Sequence, residues 1–164
     1  MNRNAYRVDF FDASALAKVF ADEPGSDIVR EYWHLGRMKY TTPFCFYEAM
    51  NVLNGKWKHK GNMTAAQYFD ATFELTAWYG ASSDEVKDLD FKDPLTFTDT
   101  RALAERNSLD LSDAFQIMSV KRGYFSILVN DSSTVLVTAD KDLASAARSE
   151  GLRVWNVLLE PPPK

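Results

Sequence analysis

Four acidic residues hold positions from which this chain could do chemistry: Asp12, Glu48, Asp113 and Asp140. Each falls at a junction between predicted elements. Asp12 ends the apolar run Val8-Asp9-Phe10-Phe11, and Asp140 follows Val135-Leu136-Val137-Thr138-Ala139. Glu48 lies in the first turn of a helical segment, and Asp113 opens another helix after a short loop. If the strands are parallel and joined by right-handed crossovers, their carboxyl ends share one edge of the sheet, where such folds hold ligands. All four carboxylates could then converge. Unit charges about 4 Å apart repel by roughly 4 kcal/mol at an effective dielectric near 20, so such a cluster needs a cation or must be partly protonated. An all-oxygen set without His or Cys suits Mg²⁺ or Mn²⁺. An ion of that kind polarises a phosphodiester, acidifies a bound water and stabilises a leaving oxyanion, so hydrolysis is a natural chemistry.

Each acid also has a plainer local reading. Asp12 is well placed to cap the helix that follows it, because Asp accepts readily from the first helical N–H groups. Asp142 competes with Asp140 for the fourth position; Asp140 directly follows the strand, whereas Asp142 suits the N-terminal turn of the next helix. Asp110 reads as a loop cap or a supporting group, and Asp9 as a strand residue facing away. His34 and His59 are too isolated to serve as ligands or bases. The chain has no Ser/His pair, Gly-rich phosphate loop or nucleotide fingerprint beside these acids, which weakens serine hydrolase, kinase and dehydrogenase readings.

The elements that must position the acids follow from periodicity and turn chemistry. Strands are predicted at 6–11, 39–42, 86–91, 133–138 and 153–157, with 124–130 a strand or an irregular run. Helices are predicted at 13–20, 27–38, 44–59, 64–79, 94–106, 113–122 and 142–149. The helix over 27–38 presents Ile28, Val29, Tyr32, Trp33 and Leu35 as an apolar face. That over 64–79 turns Ala65, Tyr68, Phe69, Thr72, Phe73, Leu75 and Thr76 inward. Lys56, Lys58, His59 and Lys60 crowd the end of the helix that carries Glu48; they suit the negative end of its dipole, and alternatively form an RNA-contact patch. The alternation of strands and helices is that of an α/β protein.

At 164 residues, 46% hydrophobic and 26% charged, the chain reads as one soluble globular domain. Residues 1–159 form that domain, and 160–164 are a short proline-rich tail. No apolar stretch is long enough to span a membrane, and Arg7 and Asp9 interrupt the segment a signal peptide would need, so a cytoplasmic protein is expected. Its one cysteine, Cys45, cannot form an internal disulfide. A net charge of -4 argues against a general basic coat for nucleic acid, although without the four acids the remainder is neutral.

Taken together, the motifs Asp12-Ala13-Ser14-Ala15-Leu16, Glu23-Pro24-Gly25-Ser26, Glu48-Ala49-Met50-Asn51-Val52-Leu53, Leu111-Ser112-Asp113-Ala114-Phe115-Gln116 and Leu136-Val137-Thr138-Ala139-Asp140-Lys141-Asp142-Leu143 resemble the PIN-domain ribonucleases, most of all the VapC-type toxins of toxin-antitoxin pairs. The resemblance spans nearly the whole chain in the family's order. It implies a three-layer α/β/α sandwich with a central, mainly parallel sheet, and a Mg²⁺- or Mn²⁺-dependent endoribonuclease. Asp12, Glu48, Asp113 and Asp140 match the family's four acids, while Ser14 and Thr138 match its hydroxyl residues. Also implied are an RNA substrate, a protein antitoxin whose segment covers the site, and a homodimer. Lys18, Lys56 and Arg122 are candidate RNA contacts. Two departures stand out: Ala13 takes a position where many relatives carry Thr, Ser or Asn, and Pro43 precedes the helix of Glu48. A non-catalytic PIN-like binding module is the alternative. An aspartyl-phosphate phosphatase is a further one, but it commonly needs a second acid two residues after the first, where this chain has Ser14.

Overall fold

The computed structural model describes residues 7–128 and 134–164. Four short strands form one sheet: β1 (Val8–Phe11), β2 (Met38–Tyr40), β3 (Thr134–Thr138) and β4 (Arg153–Asn156). Their order is β2-β1-β3-β4, and every pair is parallel, so all crossovers return to the same edge. Tyr6 and Ser133, which the predicted strands included, lie outside the described residues, as do 129 and 130.

The central strands β1 and β3 are buried on both faces, as β-branched and aromatic runs inside a parallel sheet must be, while the edge strands β2 and β4 are partly exposed. Alternation then divides the core. Phe11, Val135, Val137 and Trp155 face one layer, built from α1 (Ala13–Phe20), α2 (Ser26–Trp33), α3 (Pro43–Lys58) and α4 (Ala65–Ser82). Val8, Phe10 and Leu136 face the other, built from α5 (Pro94–Asn107), α6 (Leu111–Arg122) and α7 (Lys141–Ser149). The result is a three-layer α/β/α sandwich with a wholly parallel sheet.

Several elements differ from their sequence reading for physical reasons. Residues 86–91 form no strand: Val86 is buried, but Phe91 is 60% exposed, and the Asp88 carboxylate accepts from the N–H of Phe44 at 3.0 Å. That segment is a strut under the start of α3. Helix α4 touches the body along a narrow stripe in which only Ala71 and Leu75 are fully buried, leaving Phe69 and Phe73 exposed on its outer side. On α2, Val29 and Tyr32 are buried, whereas Ile28 is exposed, as is Leu35 beyond the helix end. Residues 126–128 form a 3₁₀ turn. Pro43 opens α3 at its first position, where its missing N–H costs nothing, while Thr42 caps the helix through the N–H of Cys45. Helix α6 starts two residues earlier than expected, so Asp113 sits within its first turn and Asp110 is the cap.

Candidate active site

Asp12 and Thr138 end the adjacent central strands β1 and β3, and the chain beyond them builds one side of a cavity. Asp12 is 2% exposed, and its N–H donates to the Val137 carbonyl at 3.1 Å. Its carboxylate accepts from the N–H of Ala15 at 2.7 Å, from the Ser14 hydroxyl at 2.8 Å, and from the hydroxyl of Thr138. The N–H of Asp140 donates in turn to the Thr138 hydroxyl at 3.0 Å. Asp12 is thus both a helix cap and a carboxylate at the strand end. Its two roles are compatible because one oxygen faces α1 and the other faces β3. Burial pushes its pKa up to about 6, against the lowering effect of Thr138, Ala15 and Ser14.

Asp140 likewise caps α7, accepting from the N–H groups of Asp142 and Leu143 at 2.7 and 2.9 Å. Glu48 projects from the second turn of α3 rather than the first, because the helix already opens at Pro43, and is clamped by α6: the Ser112 hydroxyl donates to one oxygen, and the Gln116 amide donates to the other at 3.0 Å. Ser112 and Gln116 are one helical turn apart, so both reach the same partner. Gln116 is 4% exposed, and the buried thiol of Cys45 donates to its carbonyl oxygen at 3.5 Å. Asp113 lies between these two residues in sequence. Its carboxyl receives no hydrogen bond among the described residues. Burial, followed by the charges of Asp110, Asp140, Asp12 and Glu48, raises its pKa to about 7.

All four predicted acids therefore line one cavity of about 510 Å³, joined by Asp110, and among the described residues no Lys, Arg or His lies on its wall. Asp142 is not on that wall. Asp110, read from sequence as a loop cap or a supporting group, caps α6 and lies on the cavity wall, whereas the clamp on Glu48 was missed; the spacing of Ser112 and Gln116 on either side of Asp113 was the available signal. Ser14 supplies the hydrogen bond to Asp12 that Ala13 cannot. The suggested RNA contacts are engaged elsewhere. Lys18 is 6% exposed and donates to Glu23 and to the Pro24 carbonyl, both at 2.8 Å; Lys56 also binds Glu23, and Arg122 binds Asp99.

Carboxylate oxygens on one cavity wall without a positive side chain match the donor chemistry of a hard divalent cation. They stand apart, however: among the described residues no three His, Cys, Asp or Glu side chains form a ready ligand set. No helix among the described residues is long and apolar enough to cross a membrane.

No protein-family model and no curated protein matches the chain. Among solved structures, the crystal structure of PAE2754 from Pyrobaculum aerophilum is similar, with a TM-score of 0.58 at 18% identity, over 90% of this chain and 83% of that one. At that identity the likeness is one of fold, and it extends across nearly the full sandwich.

Proposed function

We propose that this chain is a Mg²⁺- or Mn²⁺-dependent endoribonuclease of the PIN type, acting as the toxin of a toxin-antitoxin pair. The observation that carries the reading is the meeting of Asp12, Glu48, Asp113 and Asp140, from four separate parts of the chain, on a cavity without a basic side chain. Asp12, Glu48 and Asp113 would hold the ion, with Asp140 beside them. When bound, the ion would supply charge stabilisation at the scissile phosphate and activation of the attacking water.

The remaining work falls to the protein. Ser14, Thr138 and the Ala15 N–H fix the orientation of Asp12, so its carboxylate does not have to reorganise on loading. Ser112 and Gln116 do the same for Glu48. Asp113, without such a brace, is free to adjust. The raised pKa values of Asp12 and Asp113 mean that loading releases protons. RNA is the proposed substrate; an antitoxin, a second copy of the chain and a cytoplasmic setting go with the toxin reading.

The second reading is a non-catalytic RNA- or protein-binding module, which the spread of the carboxylates favours. The deciding experiment incubates the purified chain with labelled structured and single-stranded RNAs in Mg²⁺ or Mn²⁺, beside Asp12→Asn and Asp113→Asn. The nuclease reading expects cleavage that EDTA stops and both variants lose while remaining folded. Wild-type-like cleavage by both variants would refute the proposed chemistry, and RNA binding without turnover would establish the module.

A further inference from the structure

Helix α3 buries Cys45, Ala49 and Leu53 and turns a continuous outer face away from the body. The two ends of that face are opposite in charge. Near its start, Glu48 and Asn51 belong to the acidic cavity, and Val52, 39% exposed, lies on the same wall. Near its end, Lys58, His59 and Lys60 are exposed, and none of them is in an ion pair among the described residues. Glu48, Val52, Gly55 and His59 recur at the helical spacing and so share one line along the surface, with Lys58 on its flank and Lys60 just past the helix end.

Gly55 sits in the middle of that line. Glycine weakens a helix interior, and here no packing demands it, since a Cβ built at Gly55 would meet no atom within 4 Å. Its effect is to leave the strip flat between the acids and the cations. The lysine end differs from Lys56, which is tied down by Glu23 on the helix flank. Lys58 instead lies over the ring of Trp57, 4.0 Å from its centroid, and Trp57 stacks on Tyr68 at 4.5 Å. An aromatic base therefore supports Lys58.

We infer that the outer face of α3 is the track on which single-stranded RNA lies, with Lys58 and Lys60 taking phosphates a few nucleotides from the one held at the acids. The inference rests on the nuclease reading. Charge complementarity selects the occupant: a polyanion whose reacting phosphate is neutralised by a cation at the carboxylates needs positive side chains for the phosphates beyond. From Glu48 to Lys58 the helix rises about 15 Å, a span of several phosphates. Lys58 and Lys60 are the chain's answer to that need in an otherwise acidic molecule.

The test measures binding of a labelled single-stranded RNA to the unsubstituted chain over a range of salt, with Ca²⁺ in place of Mg²⁺ to keep the RNA uncut. Lys58→Glu/Lys60→Glu is compared with Arg101→Glu/Arg153→Glu, an equal charge change at exposed positions off the strip. The track predicts that the lysine pair alone weakens binding, by about tenfold at low salt, and lowers the slope of log K against log salt by roughly one to one and a half. Gly55→Leu, which fills the strip without touching a charge, should weaken binding with no loss of thermal stability. Equal binding by the two charge-reversed chains, with equal slopes, overturns the track and leaves the nuclease reading standing. Failure of the unsubstituted chain to bind or cut any RNA overturns both. Equal binding of polyglutamate and RNA to the lysine end would assign it to an acidic protein partner instead.

Discussion

At the residue scale, the account turns on how each carboxylate is held. Asp12 and Asp113 have pKa values raised to about 6 and about 7, so protons and cations compete for them near neutrality. Mn²⁺ affinity measured by calorimetry should therefore climb steeply between about pH 5.5 and 7.5, with protons released on binding; a flat affinity across that range contradicts the account. Gln116→Met keeps the volume of the side chain and removes its donor to Glu48. It should weaken Mn²⁺ binding by about tenfold or more, as losses of groups that orient ligands do, while circular dichroism stays unchanged. Wild-type affinity would make the clamp purely structural. That the four acids line one cavity was legible in the sequence for Asp12, Asp113 and Asp140, which follow an apolar strand or open a helix, and less so for Glu48, which lies a turn into α3. The clamp was not, since Ser112 and Gln116 gain meaning only when α3 is seen packed near α6.

At the element scale, the same side chains both start helices and face the cavity. Asp140 separates the two roles cleanly. Asn caps as well as Asp, so Asp140→Asn should leave the melting temperature nearly unchanged while reducing cleavage and ion affinity; Asp140→Ala should cost about 1 kcal/mol in addition. Equal activity of Asp140→Asn and the unsubstituted chain would reduce Asp140 to a cap. The strong elements were readable: β3 from its β-branched run, α3 from its apolar spacing, α6 from the stop at Gly123. Others were not, for a shared reason. A periodic apolar pattern states which side of a segment is greasy, not whether the fold has anything to put against it. Phe69 and Phe73 of α4, and Phe91 at the end of the predicted strand 86–91, are apolar residues that the fold leaves more than half exposed, although Phe91 stacks on Phe115. Pro43 was similarly ambiguous in sequence, since a proline before a helical run either obstructs it or opens it, and Thr42 as cap decides for the latter.

At the scale of the whole molecule, charge is partitioned. In the layer of α1 to α4 Glu23 joins Lys18 of α1 to Lys56 of α3, and in the opposite layer Glu150 joins Arg106 to Lys121; at the carboxyl edge of the sheet the acids share a cavity with no cation on its described wall. These two groups have opposite pH signatures. Glu150, lowered to about 2 by Arg106, and Glu23, lowered by its lysines against the cost of burial, contribute stability above their unfolded pKa of 4.5 that is lost as the solution is acidified. Asp12 and Asp113, raised from 3.8, contribute stability that is full below that value and lost as pH rises through about 6 to 7. Without metal, thermal stability should therefore peak between about pH 4 and 5.5, and added Mn²⁺ should restore it at pH 7.5; a metal-free optimum above pH 7 contradicts the assignment. Glu23→Gln leaves the 6%-exposed Lys18 without its counter-charge and should cost about 3 kcal/mol in urea denaturation. An effect below half a kcal/mol would mean that water replaces the pair. The most direct measurement is a calorimetric titration of the metal-free chain with Mn²⁺ at pH 7.5, repeated on Asp113→Asn. Saturable uptake by the first and its loss or severe weakening in the second is the predicted result. No uptake, or identical uptake by both chains, would show that these side chains do not act as one centre.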